Sequence, residues 1–135
     1  MFENSSITLL ADAVTLTGTA AASTNTAKTS GYGQHTLYVI YNPDTNSTNA
    51  LEVTIELSPD GTNWFPYTGE YSAAAGTITE GAQVTLSFPS DGTDAQNEPP
   101  YFFVGAAMEI RIKYSETLTP ADFGEITAFL ISTHP

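Results

Sequence analysis

The chain has 135 residues, and its 15 acidic side chains stand against only Lys28, Arg111 and Lys113, a formal charge of −12. That balance excludes nucleic acid and anionic membranes as partners, because both are held by Lys and Arg neutralising phosphate. With no cysteine, disulfides and Cys-ligated zinc are excluded, and the two histidines, His35 and His134, lie too far apart in sequence to suggest a metal pair, so no cofactor is expected.

The length suits one domain. No stretch reaches the ~18 consecutive apolar residues of a membrane helix, and no basic and then apolar leader opens the chain, which reads as a soluble protein made in a cytoplasm. The first 34 residues are thin. "SITLL" and "AVTLTG" could each supply a short strand, but "TGTAAASTNTAKTSGYG", 17–33, is nearly all small and polar and can bury little. Residues 1–34 are therefore expected as a loop-rich segment, or as an arm that adds a strand to a neighbouring sheet edge, and residues 35–135 as a β-sandwich, the whole forming one folded unit.

"TLYVIY", 36–41, is apolar on both faces, as is "ITAFLI", 126–131. Such strands are central in a sheet or have their outer face covered by a neighbouring subunit, which makes Tyr38, Ile40, Phe129 and Ile131 candidates for contacting a partner. "LEVTIELS" alternates Val53, Ile55 and Leu57 with Glu52, Thr54 and Glu56, a strand with one dry and one wet face. Ser58-Pro59-Asp60-Gly61 then makes a turn, followed by the only tryptophan, Trp64, in a burst of aromatics. Asp60-Gly61 is expected to make the turn that brings Trp64 into the core of the hairpin.

"QVTLSF" repeats the alternation with Val84, Leu86 and Phe88. "SDGTDAQNE", 90–98, offers Asp91, Asp94, Asn97 and Glu98 as hard oxygen donors for calcium, but without EF-hand spacing, and such clusters are also what turns look like. "YFFVG", 101–105, is a shorter strand apolar on both faces. "MEIRIKY" sets Met108, Ile110, Ile112 and Tyr114 against Glu109, Arg111 and Lys113, and "TPADF", 119–123, has the look of a single helical turn. Many short strands at even spacing between Gly and Pro turns predict an all-β, antiparallel, jelly-roll-like sandwich with little helix.

Candidates for catalysis are sparse. No Gly-x-Ser-x-Gly elbow is present, and neither histidine has a carboxylate beside it in sequence. Glu52 and Glu56 share a strand face, but four residues at ~3.3 Å rise put them about 13 Å apart, beyond the roughly 5–10 Å that glycoside hydrolysis uses. Pairing of these acids with Arg111 and Lys113 across strands is the simpler expectation. Trp64, Tyr67, Tyr71 and Tyr101 would form a sugar-stacking platform if they faced outward together, and would close a core if they did not.

"VTIELSPDGTNWFPY", 53–67, resembles a β-hairpin of small structural proteins of tailed bacteriophages, and "MEIRIKYSETLTPADFGEITAFLIST", 108–133, looks like the ending of the same proteins. The resemblance covers about a third of the chain. It implies a non-enzymatic virion component, most like a head decoration protein that binds the outside of the expanded capsid. Its partners would be the major capsid protein and further copies of itself, often as a homotrimer, and its location the capsid surface. The alternatives are a carbohydrate-binding module using surface aromatics, and another virion part such as a tail-tube, neck or head-fibre component.

Overall fold

The computed structural model describes residues 5–44, 49–69, 71–74, 77–80, 83–91, 95–117 and 123–134, and every regular element among them is a strand. In chain order these are β1 (Ser5–Thr15), β2 (Ala21–Ala22), β3 (Ala27–Lys28), β4 (Gln34–Asn42), β5 (Ala50–Ser58), β6 (Phe65–Pro66), β7 (Tyr71–Ala74), β8 (Thr77–Glu80), β9 (Thr85–Pro89), β10 (Gln96–Asn97), β11 (Tyr101–Val104), β12 (Glu109–Thr117) and β13 (Glu125–Thr133). The expected helical turn at 119–123 falls, apart from Phe123, outside the described residues.

All pairings are antiparallel, and they nest. β1 pairs with β13, β2 and β3 with β12, β4 with β10 and β11, and β5 with β6 and β9. β13 also pairs with β4, and β12 with β5, each along its full nine residues. Strands sharing one edge of a neighbour count as one position, so the chain makes eight positions, ordered 1-8-3-6 in sheet I (β1-β13-β4-β10/β11) and 2-7-4-5 in sheet II (β2/β3-β12-β5-β6/β9). That is a long hairpin folded over on itself, the jelly-roll arrangement predicted above. β7 and β8 form a separate hairpin between β6 and β9.

The alternating strands explain the core. Leu51, Val53 and Ile55 of β5 point inward beside Ile110, Ile112 and Tyr114 of β12, while Leu37, Val39 and Tyr41 of β4 sit beside Ile126, Ala128 and Leu130 of β13. The two sets form a single cluster between the sheets. Each large aliphatic side chain so buried contributes about 1.5–3 kcal/mol. Met108 departs from the pattern: it precedes the first residue of β12 and is 47% exposed, whereas Ile110, two residues on, is fully buried.

Residues 5–34 supply β1, β2 and β3, and bury Leu10, Ala11, Leu16 and Ala27. Their small polar side chains do what large apolar ones could not, satisfying backbone groups at a crowded edge: Thr29 Oγ1 donates to Ala107 O at 2.9 Å, and Ser23 Oγ accepts from Ile112 N at 3.3 Å. β1 is the edge of sheet I. Register shifts between Leu9 and Ala11 and between Ala11 and Val14, with Ala13 at φ 48°, kink it, and Asn25 Nδ2 donates to Leu9 O. A bulged edge whose carbonyl is already occupied is a poor template for further strand pairing.

One carboxylate ties two of the connections between the sheets at one end of the sandwich. Glu116, 1% exposed near the end of β12, accepts from Tyr41 Oη at 2.5 Å and Asn49 Nδ2 at 3.2 Å through Oε2, and from Gly124 N at 2.5 Å through Oε1. Tyr41 is the last residue but one of β4 and Asn49 precedes β5; Gly124 precedes β13, the strand that follows β12. The latch thus spans the β4–β5 and β12–β13 crossings. Burial, and then the Glu116 carboxylate, push the Tyr41 hydroxyl far above its ordinary range, so it stays a donor. Gly124 has no room for a side chain, since a Cβ there would collide with the backbone of Asn42 and Pro43.

Candidate interaction face

The outer faces of the two sheets differ sharply. On sheet II the outward rows run Ser115·Glu52·Ser87, Ala22·Lys113·Thr54·Thr85 and Arg111·Glu56·Pro66, mostly polar or charged, with Thr117·Ala50·Pro89 at one end. Arg111 Nε donates to Glu56 Oε1 at 2.7 Å, the cross-strand ion pair expected from the alternation, and the Arg111 guanidinium lies 4.2 Å from the centre of the Trp64 ring. Trp64 was expected to close the hairpin core, and it does not. It is half-buried and lies against Arg111 of the outer face of sheet II, while Tyr67 and Phe103, whose ring centres are 5.1 Å apart, fill that end of the core.

The side chains of Asp60 and Ser58 organise the turn. Asp60 Oδ1 accepts from Thr62 N at 2.8 Å and Asn63 N at 2.7 Å, Oδ2 accepts from Asn63 Nδ2 at 2.6 Å, and Ser58 Oγ accepts from Gly61 N at 2.8 Å. The backbone N–H groups of Asn63 and Thr62 hold the Asp60 carboxyl well below the usual carboxylate range. Gly61 adopts φ 78°, a left-handed conformation that disfavours a side chain, and a Cβ there would strike Glu109 Oε2. Glu109 is covered by this turn and held by Lys28 Nζ at 2.8 Å and Thr26 Oγ1 at 2.5 Å. Donation from Lys28 and then from Thr26 lowers the Glu109 carboxyl from its ordinary value.

On sheet I the outward rows run Leu9·Phe129·Tyr38, Ile7·Ile131·Thr36·Phe102 and Ser5·Thr133·Gln34·Val104, with Thr127·Ile40·Asn97 at one end. None of these residues is ionised. Tyr38, Ile40, Phe129 and Ile131, singled out in the sequence, lie together there, lining a trough of about 480 Å³ with Ile7. Exposure is high for a surface this apolar: 69% at Ile7, 58% at Phe102, 57% at Val104 and 41% at Tyr38. Ile7, Phe102 and Val104 were not singled out, because a face spanning four strand positions becomes visible only when the pairing register places β1 and β11 beside β13 and β4. Glu98 and Glu125 stand at its margins, Glu98 Oε1 accepting from Gln96 Nε2 at 2.5 Å.

The remaining candidates are dispersed. Tyr67 and Tyr101 pack on Phe103 and do not join Trp64 outside, so these three form no shared sugar platform, and the side chain of Tyr71 lies outside the described residues. Asp94 of the calcium candidates also lies outside them; Asp91 N donates to Gln96 Oε1 at 3.3 Å, and Gln96 thereby bridges Asp91 and Glu98. Among the described residues no three or more His, Asp or Glu side chains gather as metal ligands would. His35 is buried, its Nε2–H donating to Gly105 O at 2.8 Å; its Nδ1 therefore accepts from Ser132 Oγ, also at 2.8 Å. Burial lowers its pKa and keeps the ring neutral.

No family model matches the chain, and no curated protein does. Among solved structures it is similar, at a TM-score of 0.49 and 12% identity, to a chain in the structure of infectious bursal disease virus, Gx strain. The match covers 96% of this chain and 32% of that one. A likeness this distant bears on neither fold nor function.

Proposed function

We propose that the protein is a non-enzymatic structural component of a virion, a head decoration protein that binds the outside of the expanded capsid through the major capsid protein and stabilises it. The observation that carries the reading is the placement of apolar side chains: of the large ones exposed among the described residues, Ile7, Tyr38, Phe102 and Val104 share the outer face of sheet I, with Phe65 and Met108 elsewhere, and an open apolar face of that kind suits adhesion to another surface. The jelly roll agrees with it, being an architecture of viral shells, although lectins and other proteins share it and fold alone does not fix function. The resemblance of residues 53–67 and 108–133 to phage structural proteins supplies the link to tailed phage. A protein that binds only the expanded shell stabilises that state according to its occupancy, and many sites per particle add.

Cosedimentation with heads of the encoding virus, purified without this chain, tests the proposal. Saturable binding to expanded heads, little binding to unexpanded ones and a higher disruption temperature of the decorated particle are the expected results. Equal binding to both head forms, or none, would overturn it. Retention on a polysaccharide that is lost on Trp64→Ala with the fold intact would favour the carbohydrate-binding alternative.

A further inference from the structure

We infer that the hairpin of β7 and β8 is an augmentation arm that takes an extended segment of the major capsid protein as a third strand. The inference rests on the decoration reading and adds to it a contact outside the outer face of sheet I. The two strands pair with each other, from Tyr71 opposite Glu80 to Ala74 opposite Thr77, and neither is bonded to a strand of sheet I or sheet II. A two-stranded hairpin standing alone is marginal in water. A third strand would supply the backbone pairing that the sandwich does not give it.

The edges of the sandwich show how this chain discourages such pairing elsewhere. β1 is bulged and its Leu9 carbonyl is taken by Asn25, β2 and β3 have two residues each, β6 contains Pro66, β9 contains Pro89, and Pro99-Pro100 separates β10 from β11. Each of these features blunts an edge. Residues 68–83, "TGEYSAAAGTITEGAQ", contain neither proline nor lysine, and β7 and β8 run opposite one another without a register shift. Both outer edges of this ribbon are thus open and unguarded.

Place and charge select the occupant. The chain leaves sheet II at Tyr67 and returns at Val84, whose N–H donates to Tyr67 O at 3.0 Å, and the Tyr67 ring packs on Phe103 of β11. Phe102 and Val104, on either side of Phe103, belong to the outer face of sheet I, so the hairpin is rooted beside the margin of the adhesion face and is continuous with it. Of residues 68–83, Glu70 and Glu80 are acidic and none is basic, so a strand carrying Lys or Arg suits the arm better than an acidic one. A second copy of this chain offers no such strand: its cations, Lys28, Arg111 and Lys113, lie in β3 and β12, which are paired within sheet II, and Lys28 and Arg111 are held by Glu109 and Glu56.

Hydrogen exchange read by mass spectrometry on the full chain, free and bound to expanded heads, tests this. The amides of β7 and β8 are expected to exchange near the unprotected rate in the free protein and about tenfold or more slowly on heads. Replacing residues 68–83 by Asn-Gly, a tight turn closed by the bond from Val84 N to Tyr67 O, should weaken binding to heads about tenfold or more and leave the melting temperature of the sandwich nearly unchanged. Glu80→Lys, which keeps the hairpin, should weaken binding about fivefold. Heads that bind with exchange in β7 and β8 unaltered, or with an affinity that neither variant lowers, would overturn the arm and leave the decoration proposal standing. A wild type that does not bind heads would overturn both. Protection of β7 and β8 in the free protein would also overturn the inference, and its growth with concentration would identify a second copy as the third strand.

Discussion

The outer faces of sheets I and II are each built around a central pair of nine-residue strands, β4 and β13 in one and β5 and β12 in the other, yet they present different chemistry. Sheet II turns Glu52, Thr54, Glu56, Arg111 and Lys113 to water and pairs Arg111 with Glu56, as a strand with one solvated face does. Sheet I turns Ile7, Tyr38, Phe129 and Ile131 outward, so its strands are apolar on both sides. The inner faces are equally apolar and form one core, and folding alone does not account for the difference. A solvated outer face would serve sheet I as well as it serves sheet II. What sheet I gains from its apolar residues, on the function proposed above, is a surface for another molecule.

The effects that would break or sharpen this contrast span a wide range. Glu116→Ala should cost most, about 3–5 kcal/mol in urea unfolding, because it strands the Tyr41 hydroxyl, the Asn49 amide and the Gly124 N–H in a dry interior and unlatches both sheets together. A cost no larger than that of a surface substitution would show that the two sheets are not tied there.

Acid should act on the two sheets in different windows. His35, on the inner side of sheet I, has a folded pKa below its unfolded value of about 6.5; its contribution is complete above pH 6.5 and is lost as the pH falls through that value toward the folded pKa. One proton bounds the slope at ~1.4 kcal/mol per pH unit. His35→Gln should flatten the stability profile below pH 6.5, and an unchanged profile would remove the buried ring as its cause. Asp60, in the turn of sheet II, also has a depressed pKa, so its contribution is complete above the unfolded carboxyl value of ~3.9 and is lost only in stronger acid.

Arg111→Ala should cost about 1 kcal/mol, through the lost ion pair with Glu56 and the lost stacking on Trp64, shift the Trp64 emission, and leave binding to expanded heads unchanged. Tyr38→Ser should cost least, about 0.5 kcal/mol through the cross-strand pair with Phe129, while reducing both binding to expanded heads and the binding of apolar dyes. If the two substitutions exchanged these signatures, the assignment of a working face and a solvated face would be reversed.

Much of this was legible in the sequence for a simple reason: period-two alternation determines which side chains share a face. Ile110, Ile112 and Tyr114, or Val53 and Ile55, could face the core only together, and strands 36–41 and 126–131 stood out because they broke the alternation with apolar residues on both sides. What stayed hidden depends on register and on contacts distant in sequence. Ile7 and Phe102 join the face only because β1 and β11 flank β13 and β4. Glu116 continues the polar-looking run "KYSET", and only the crossing of the sheets places its carboxylate indoors between Tyr41 and Gly124. Trp64 misled for a related reason: its size suggests a core residue, but the stem of the hairpin delivers it to the side of the sheet where Arg111 can lie against its ring. Residues 17–33, too small to form a core, proved well suited to lining the edge of β12 with backbone pairing.

The most direct test of the account is hydroxyl-radical footprinting of the protein free and bound to expanded heads, because the oxidisable aromatics are divided between the two outer faces. The account predicts protection of Tyr38, Phe102 and Phe129 on binding, with Trp64 as reactive as before. Protection of Trp64 with Tyr38, Phe102 and Phe129 still open would place the working surface on sheet II and contradict it.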